Sequence, residues 1–126
     1  MNIQIINKNN TEIAEFSPEG KELLLTDEQS VLNLITAVHC SSHANRIILP
    51  KKAITGKFLI LSTGLAGELL QKFVNYDFKI AIFGDFSHYT SRPLQDFMRE
   101  SNQGNEVFFV PTEEEAIERL SQSESA

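Results

Sequence analysis

Short, unbroken apolar blocks separated by stretches of helical period constrain this chain more than any other feature. Ile47-Ile48-Leu49 before Pro50, Phe58-Leu59-Ile60-Leu61, Ile80 to Phe83 and Val107 to Val110 do not alternate with polar residues. That is how strands covered on both faces read. Between and around them the period changes. Val31, Leu34, Ile35 and Val38 recur at i, i+3, i+4, i+7 behind a capping box of Thr26 and Gln29, predicting a helix from Asp27 to Cys40. Leu65, Ala66, Leu69, Leu70, Phe73 and Val74 form a second stripe, and Leu94, Phe97 and Met98 a third that stops near Gly104. Thr112 and Glu115 make another capping box before Ala116, Ile117 and Leu120.

At the N-terminus, Ile3 to Ile6 and Ile13 to Phe16 flank Asn7-Lys8-Asn9-Asn10, and asparagine tolerates the left-handed conformations of a tight turn. The order is thus hairpin, then helix and strand in alternation, ending on a helix. It predicts one α/β domain over residues 1–120, with an open, mostly parallel sheet, an antiparallel N-terminal hairpin and about four helices. Residues 121–126 read as a disordered tail.

Length and charge narrow the function classes. A chain of 126 residues buries roughly 65% of its unfolded surface, enough for one core without staples. The single cysteine, Cys40, allows no internal disulfide and fits a reducing cytoplasm. No apolar run approaches the ~20 residues of a spanning helix, and no basic segment leads into an apolar one near the start, so a membrane partner is not expected. Seventeen acidic against eleven basic residues give a net charge of −6, which repels a phosphate backbone; Lys51, Lys52 and Lys57 read as a solvated loop, and nucleic acid is not expected as a partner.

Ligands in open α/β sheets gather beyond the carboxyl ends of the strands, which directs attention to the turns after Leu61, Gly84 and Val110. In the first, Ser62 or Thr63 caps a helix, and Gly64 and Gly67 give close packing on the sheet or room for a ligand. A phosphate loop is excluded by the missing GxxxxGK[ST], and a dinucleotide fingerprint by the missing GxGxxG. In the second, Asp85, Ser87, His88, Tyr89, Thr90 and Arg92 form a candidate ligand or partner surface. Asp85 is expected to bind loop N–H groups, Thr90 or Ser91 to cap the next helix, and Pro93 to lie in its first turn. Ser87, His88 and Asp85 are too close in sequence to converge as a catalytic triad. Glu113, Glu114 and Glu115 complement a helix dipole. His39, Cys40 and His43 have metal-ligand spacing, but read as a helix end with a small buried thiol; no metal and no cofactor are expected.

The run from Ser62-Thr63-Gly64-Leu65-Ala66-Gly67-Glu68 to Tyr76, with Gly84-Asp85-Phe86-Ser87-His88-Tyr89-Thr90-Ser91, resembles an uncharacterised bacterial family, domain of unknown function 4180, over nearly the whole chain. That resemblance implies no activity. The Ser-[Ser/Thr]-Gly-Leu element before a helix also resembles the STAS domains of anti-sigma-factor antagonists and sulfate transporters, whose signature is D-S-[ST]-G-[LI]. This second resemblance implies a STAS-like fold and a non-enzymatic regulatory domain that binds a protein partner, such as a kinase of the anti-sigma type. The phosphorylated position would fall on Thr63, with Ser62 beside it, while Leu61 replaces the signature's aspartate. The alternative reading is a small-ligand-binding domain or small enzyme with a pocket between the Thr63 turn and the Asp85–Arg92 loop, using Asp85 and His88 as an acid/base pair. A homo-oligomer subunit is the third.

Overall fold

A computed structural model describes residues 1–123. The hairpin forms from β1 (Asn2–Lys8) and β2 (Thr11–Ser17), joined through Asn9 and Asn10, both with positive φ. Then follow α1 (Glu28–Ser41), β3 (Arg46–Pro50), α2 (Leu65–Asn75), β4 (Lys79–Phe83), α3 (Arg92–Gln103), β5 (Val107–Val110) and α4 (Glu113–Gln122). The five strands lie in sequence order, β1 antiparallel to β2 and every later pair parallel. The fold is the expected α/β class, a mixed sheet with four helices.

Each crossover from β2 onward steps one strand in the same direction, so crossovers of one hand put α1, α2 and α3 on a single face. There Val31, Leu34, Leu69, Phe73 and Leu94 pack on Phe16, Ile47, Leu49, Ile80 and Ile82. The last helix, α4, folds back over the other face, where Ala116 and Leu120 cover Ile13, Ile48, Ala81 and Phe108. Burial on both faces explains why β3, β4 and β5 read as continuous apolar runs. Arg46 fixes the far end of α4 by donating to the carbonyls of Leu120 at 2.9 Å and Ser123 at 3.0 Å.

Several expectations are corrected. Phe58 to Leu61 is not a strand: Gly56–Leu59 and Leu61–Thr63 are short 3-10 helices. β3 is already paired with β4 from Arg46 to Pro50, which leaves no slot beside it, and Phe58 and Leu59 bury their side chains without joining a ladder. The box that starts α1 lies one residue later, with Asp27 as cap and Ser30 as its partner. Cys40 is exposed rather than buried, being off the stripe that Val31, Leu34, Ile35 and Val38 bury. α4 runs on to Gln122, past the expected start of the tail; residues 124–126 of that tail lie outside the described residues.

No helix among the described residues is long and apolar enough to cross a membrane.

Candidate functional site at the carboxyl edge of the sheet

Because β2 to β5 are parallel, their carboxyl ends meet along one edge. From there the chain leaves β4 toward α3 on one face and leaves β5 toward α4 on the other. A crevice opens where neighbouring connections part in this way, and ligands in open α/β sheets occupy such crevices. Two cavities meet at Gly84 and Asp85 on this line. One, of about 520 Å³, is walled by the ends of β2 and β3 and by Glu113 at the start of α4. The other, of about 550 Å³, lies against α3 and is lined by Phe86, Met98, Asn102 and Phe109.

Gly84 has a packing reason to be glycine, since a Cβ there would stand 2.6 Å from Lys51 Cβ. That close approach lays Lys51 along the Asp85 loop. Its Nζ donates to the Asp85 carbonyl at 2.6 Å and sits 4.7 Å from the centre of the Tyr89 ring, a cation–π distance. Lys51 is therefore half-buried structure and not the freely solvated charge expected of it.

As expected, Asp85 accepts a loop N–H, that of Ser87 at 2.9 Å. Hydrogen bonds from Ser87, with smaller contributions from His88 and Lys51, hold its carboxyl below the usual range. His88 Nε2 is 3.5 Å from Asp85 Oδ2, and both side chains are open to water. The structure thus brings together Asp85, Ser87, His88 and Tyr89. Thr90 is exposed, Ser91 rather than Thr90 caps α3, and Arg92 turns to Asp96 at 4.0 Å.

The Thr63 turn has its own geometry. Gly64, at φ +75°, is the residue that caps α2, a role expected of Ser62 or Thr63. Thr63 still contributes, because its Oγ1 accepts from Leu65 N at 3.2 Å and lies 2.9 Å from the Ile60 carbonyl, to which it donates. Ser62, Thr63, Gly64 and Gly67 are exposed. Close packing on the sheet does not explain the glycines, because among the described residues nothing beyond the adjoining chain lies within 4 Å of a Cβ placed at Gly64 or Gly67. Neither cavity at Gly84 and Asp85 includes any residue of this turn. His39 lies in the last turn of α1 beside Phe78, and His43 falls beyond the helix end, so the two do not share a helical face.

Sequence reasoning missed one pair. Glu15, on β2, is 6% exposed, and burial, followed by a hydrogen bond and repulsion from Glu113, pushes its carboxyl up to about 7. In register it lies between Gln4 on β1 and Ile48 on β3, and the row continues from Ile48 through the apolar Ala81 and Phe108 beneath α4. The signal was a charge breaking the apolar run Ile13 to Phe16, but its meaning depends on α4 covering that face.

The model of the family described as domain of unknown function (DUF4180) matches residues 8–120. No curated protein and no solved structure matches the chain. The chain belongs to the DUF4180 family.

Proposed function

For this DUF4180 chain we propose a non-enzymatic, STAS-like regulatory domain that works in the cytoplasm by docking a protein partner on the surface around Ser62-Thr63-Gly64-Leu65 and the first turn of α2. The observation that carries this reading is Gly67. A glycine inside a helix costs about 1 kcal/mol relative to alanine, and here the open space around it means no internal contact offsets that cost. Bare backbone on an exposed helix suits close approach by another molecule. Ile60, whose carbonyl accepts from Thr63, is 55% exposed, and Gly67 borders a groove between α2 and α3 lined by Leu70, Val74 and Phe97. An exposed apolar residue, hydroxyls and open backbone along the turn and the start of α2 have the makeup of a docking surface.

Thr63 is the natural switch of that patch. Phosphorylation would remove the proton it donates to the Ile60 carbonyl and add about two negative charges, close to the Lys57 and Ile60 carbonyls and to the start of α2. The turn would have to rearrange, and a partner seated on it would sense the change. A kinase of the anti-sigma type is the partner class that the STAS resemblance brings. The lone exposed thiol of Cys40 suits a reducing compartment.

The test is affinity capture from native cells with the wild type, Ile60→Asp, Gly67→Arg and Thr63→Glu, and with Lys8→Glu on the hairpin as a control. A stoichiometric partner held by the wild type and the control, lost with Ile60→Asp and Gly67→Arg, and altered with Thr63→Glu supports the reading. A partner indifferent to all three patch variants refutes docking here. Unmodified Ser62 and Thr63 in phosphopeptide analysis, with Thr63→Glu binding as wild type, refutes the switch alone.

A further inference from the structure

The cavity between β2 and α4 is short of protons. Glu15 and Glu113 line it together with Pro18, Pro50, Phe83 and Lys52. Among the described residues no N–H or hydroxyl donates to the Glu15 carboxyl; the acid that lines the cavity with it is Glu113, and burial together with that neighbour favours the protonated form of Glu15. Ionising a buried carboxyl that lacks donors is costly. A cationic donor placed between the two would remove that cost, whereas an anion would be repelled. A divalent metal is poorly served, because no group of three His, Cys, Asp or Glu side chains converges among the described residues. Lys51 does not fill the role either, since its Nζ is turned toward the Asp85 carbonyl and the Tyr89 ring.

We propose that this cavity binds a small primary amine, its ammonium seated between Glu15 and Glu113 and its hydrocarbon against Pro18, Pro50 and Phe83. The site is separate from the Thr63 surface, so either can fail without the other. Its volume of about 520 Å³ is ample for a short aliphatic chain. Lys52, exposed at the mouth, would discourage a second cation there and would meet an acidic group on the ligand. Binding replaces the proton on Glu15 with the ammonium. It therefore releases up to about one proton and strengthens as pH rises, approaching about tenfold per pH unit below neutrality. Glu113, Lys51, Lys52 and Asp85 are the charged groups that line the cavity with Glu15.

The test is titration calorimetry of the full chain with n-butylamine and putrescine, using 1,4-butanediol as the uncharged counterpart, at about pH 6 and about pH 8 in buffers of different ionisation enthalpy. The expected result is saturable binding of an amine and none of the diol, with proton release and a gain of at least about tenfold from the lower to the higher pH. Glu15→Gln/Glu113→Gln should weaken binding by at least about tenfold, while Glu114→Gln/Glu115→Gln, which removes at least as much negative charge, should leave it as in the wild type. No saturable amine binding in the millimolar range overturns the proposal. So does equal loss in both double variants, which would mark attraction to an acidic protein and nothing more.

Discussion

Replacing Glu15 with glutamine should remove a pH dependence of stability whose sign is unusual for a carboxylate. In the fold burial pushes its carboxyl up to about 7 from the 4.5 of an ordinary glutamate, so the native state holds a proton that the unfolded chain releases. The stabilisation is fully present below about pH 4.5 and is lost as pH rises through about 7. The difference of about 2.5 units, at 1.36 kcal/mol per unit, sets a ceiling of about 3.4 kcal/mol. Water entering the cavity mouth screens the charge, and about 1–2 kcal/mol is a more realistic loss. Glu15→Gln keeps the shape and can still donate to Glu113. Urea denaturation followed by circular dichroism from about pH 5 to about pH 8 should therefore show the wild type losing about 1–2 kcal/mol more than the variant. At the alkaline end the variant should be the more stable protein. Parallel wild-type and Glu15→Gln curves across that range would refute the buried, protonated Glu15.

Other substitutions probe the remaining features. Gly67→Ala should stabilise the isolated domain by about 0.5–1 kcal/mol in the same urea assay, because the new methyl meets open space in a helix; in the capture experiment it should weaken the partner. Gly84→Ala should destabilise by about 1–3 kcal/mol, since its Cβ would collide with Lys51 Cβ at 2.6 Å, and Gly84→Ala/Lys51→Gly should recover part of that loss. Asn102 closes the edge of β5 by accepting from Phe109 N at 2.7 Å and donating to Phe109 O at 2.9 Å. Asn102→Ala should cost about 1–3 kcal/mol and speed amide exchange at Phe109. Cys40 should react with a thiol reagent in the native state nearly as fast as in urea, because its side chain is exposed.

The elements themselves were written locally. Apolar blocks of strand length, stripes of helical period, the asparagines of the hairpin turn and the hydroxyl before Glu113-Glu114-Glu115 act within a few residues of one another, so the sequence alone determined strand, helix and turn in nearly the right places. It also determined that Asp85 would tie down its own loop, since an aspartate bonding an N–H two residues on needs no distant partner. What failed was decided between elements. Phe58 to Leu61 had strand chemistry, but β4 already occupied the neighbouring slot on β3. Lys51 looked solvated until Gly84 let it lie along the next loop. Glu15 was buried and brought beside Glu113, which raises its carboxyl, when α4 covered the second face of the sheet. Periodicity and capping are short-range and survive in one dimension. The face a helix covers, and the charge it thereby buries, follow from how crossovers pack around the whole sheet, and only the tertiary structure decides them.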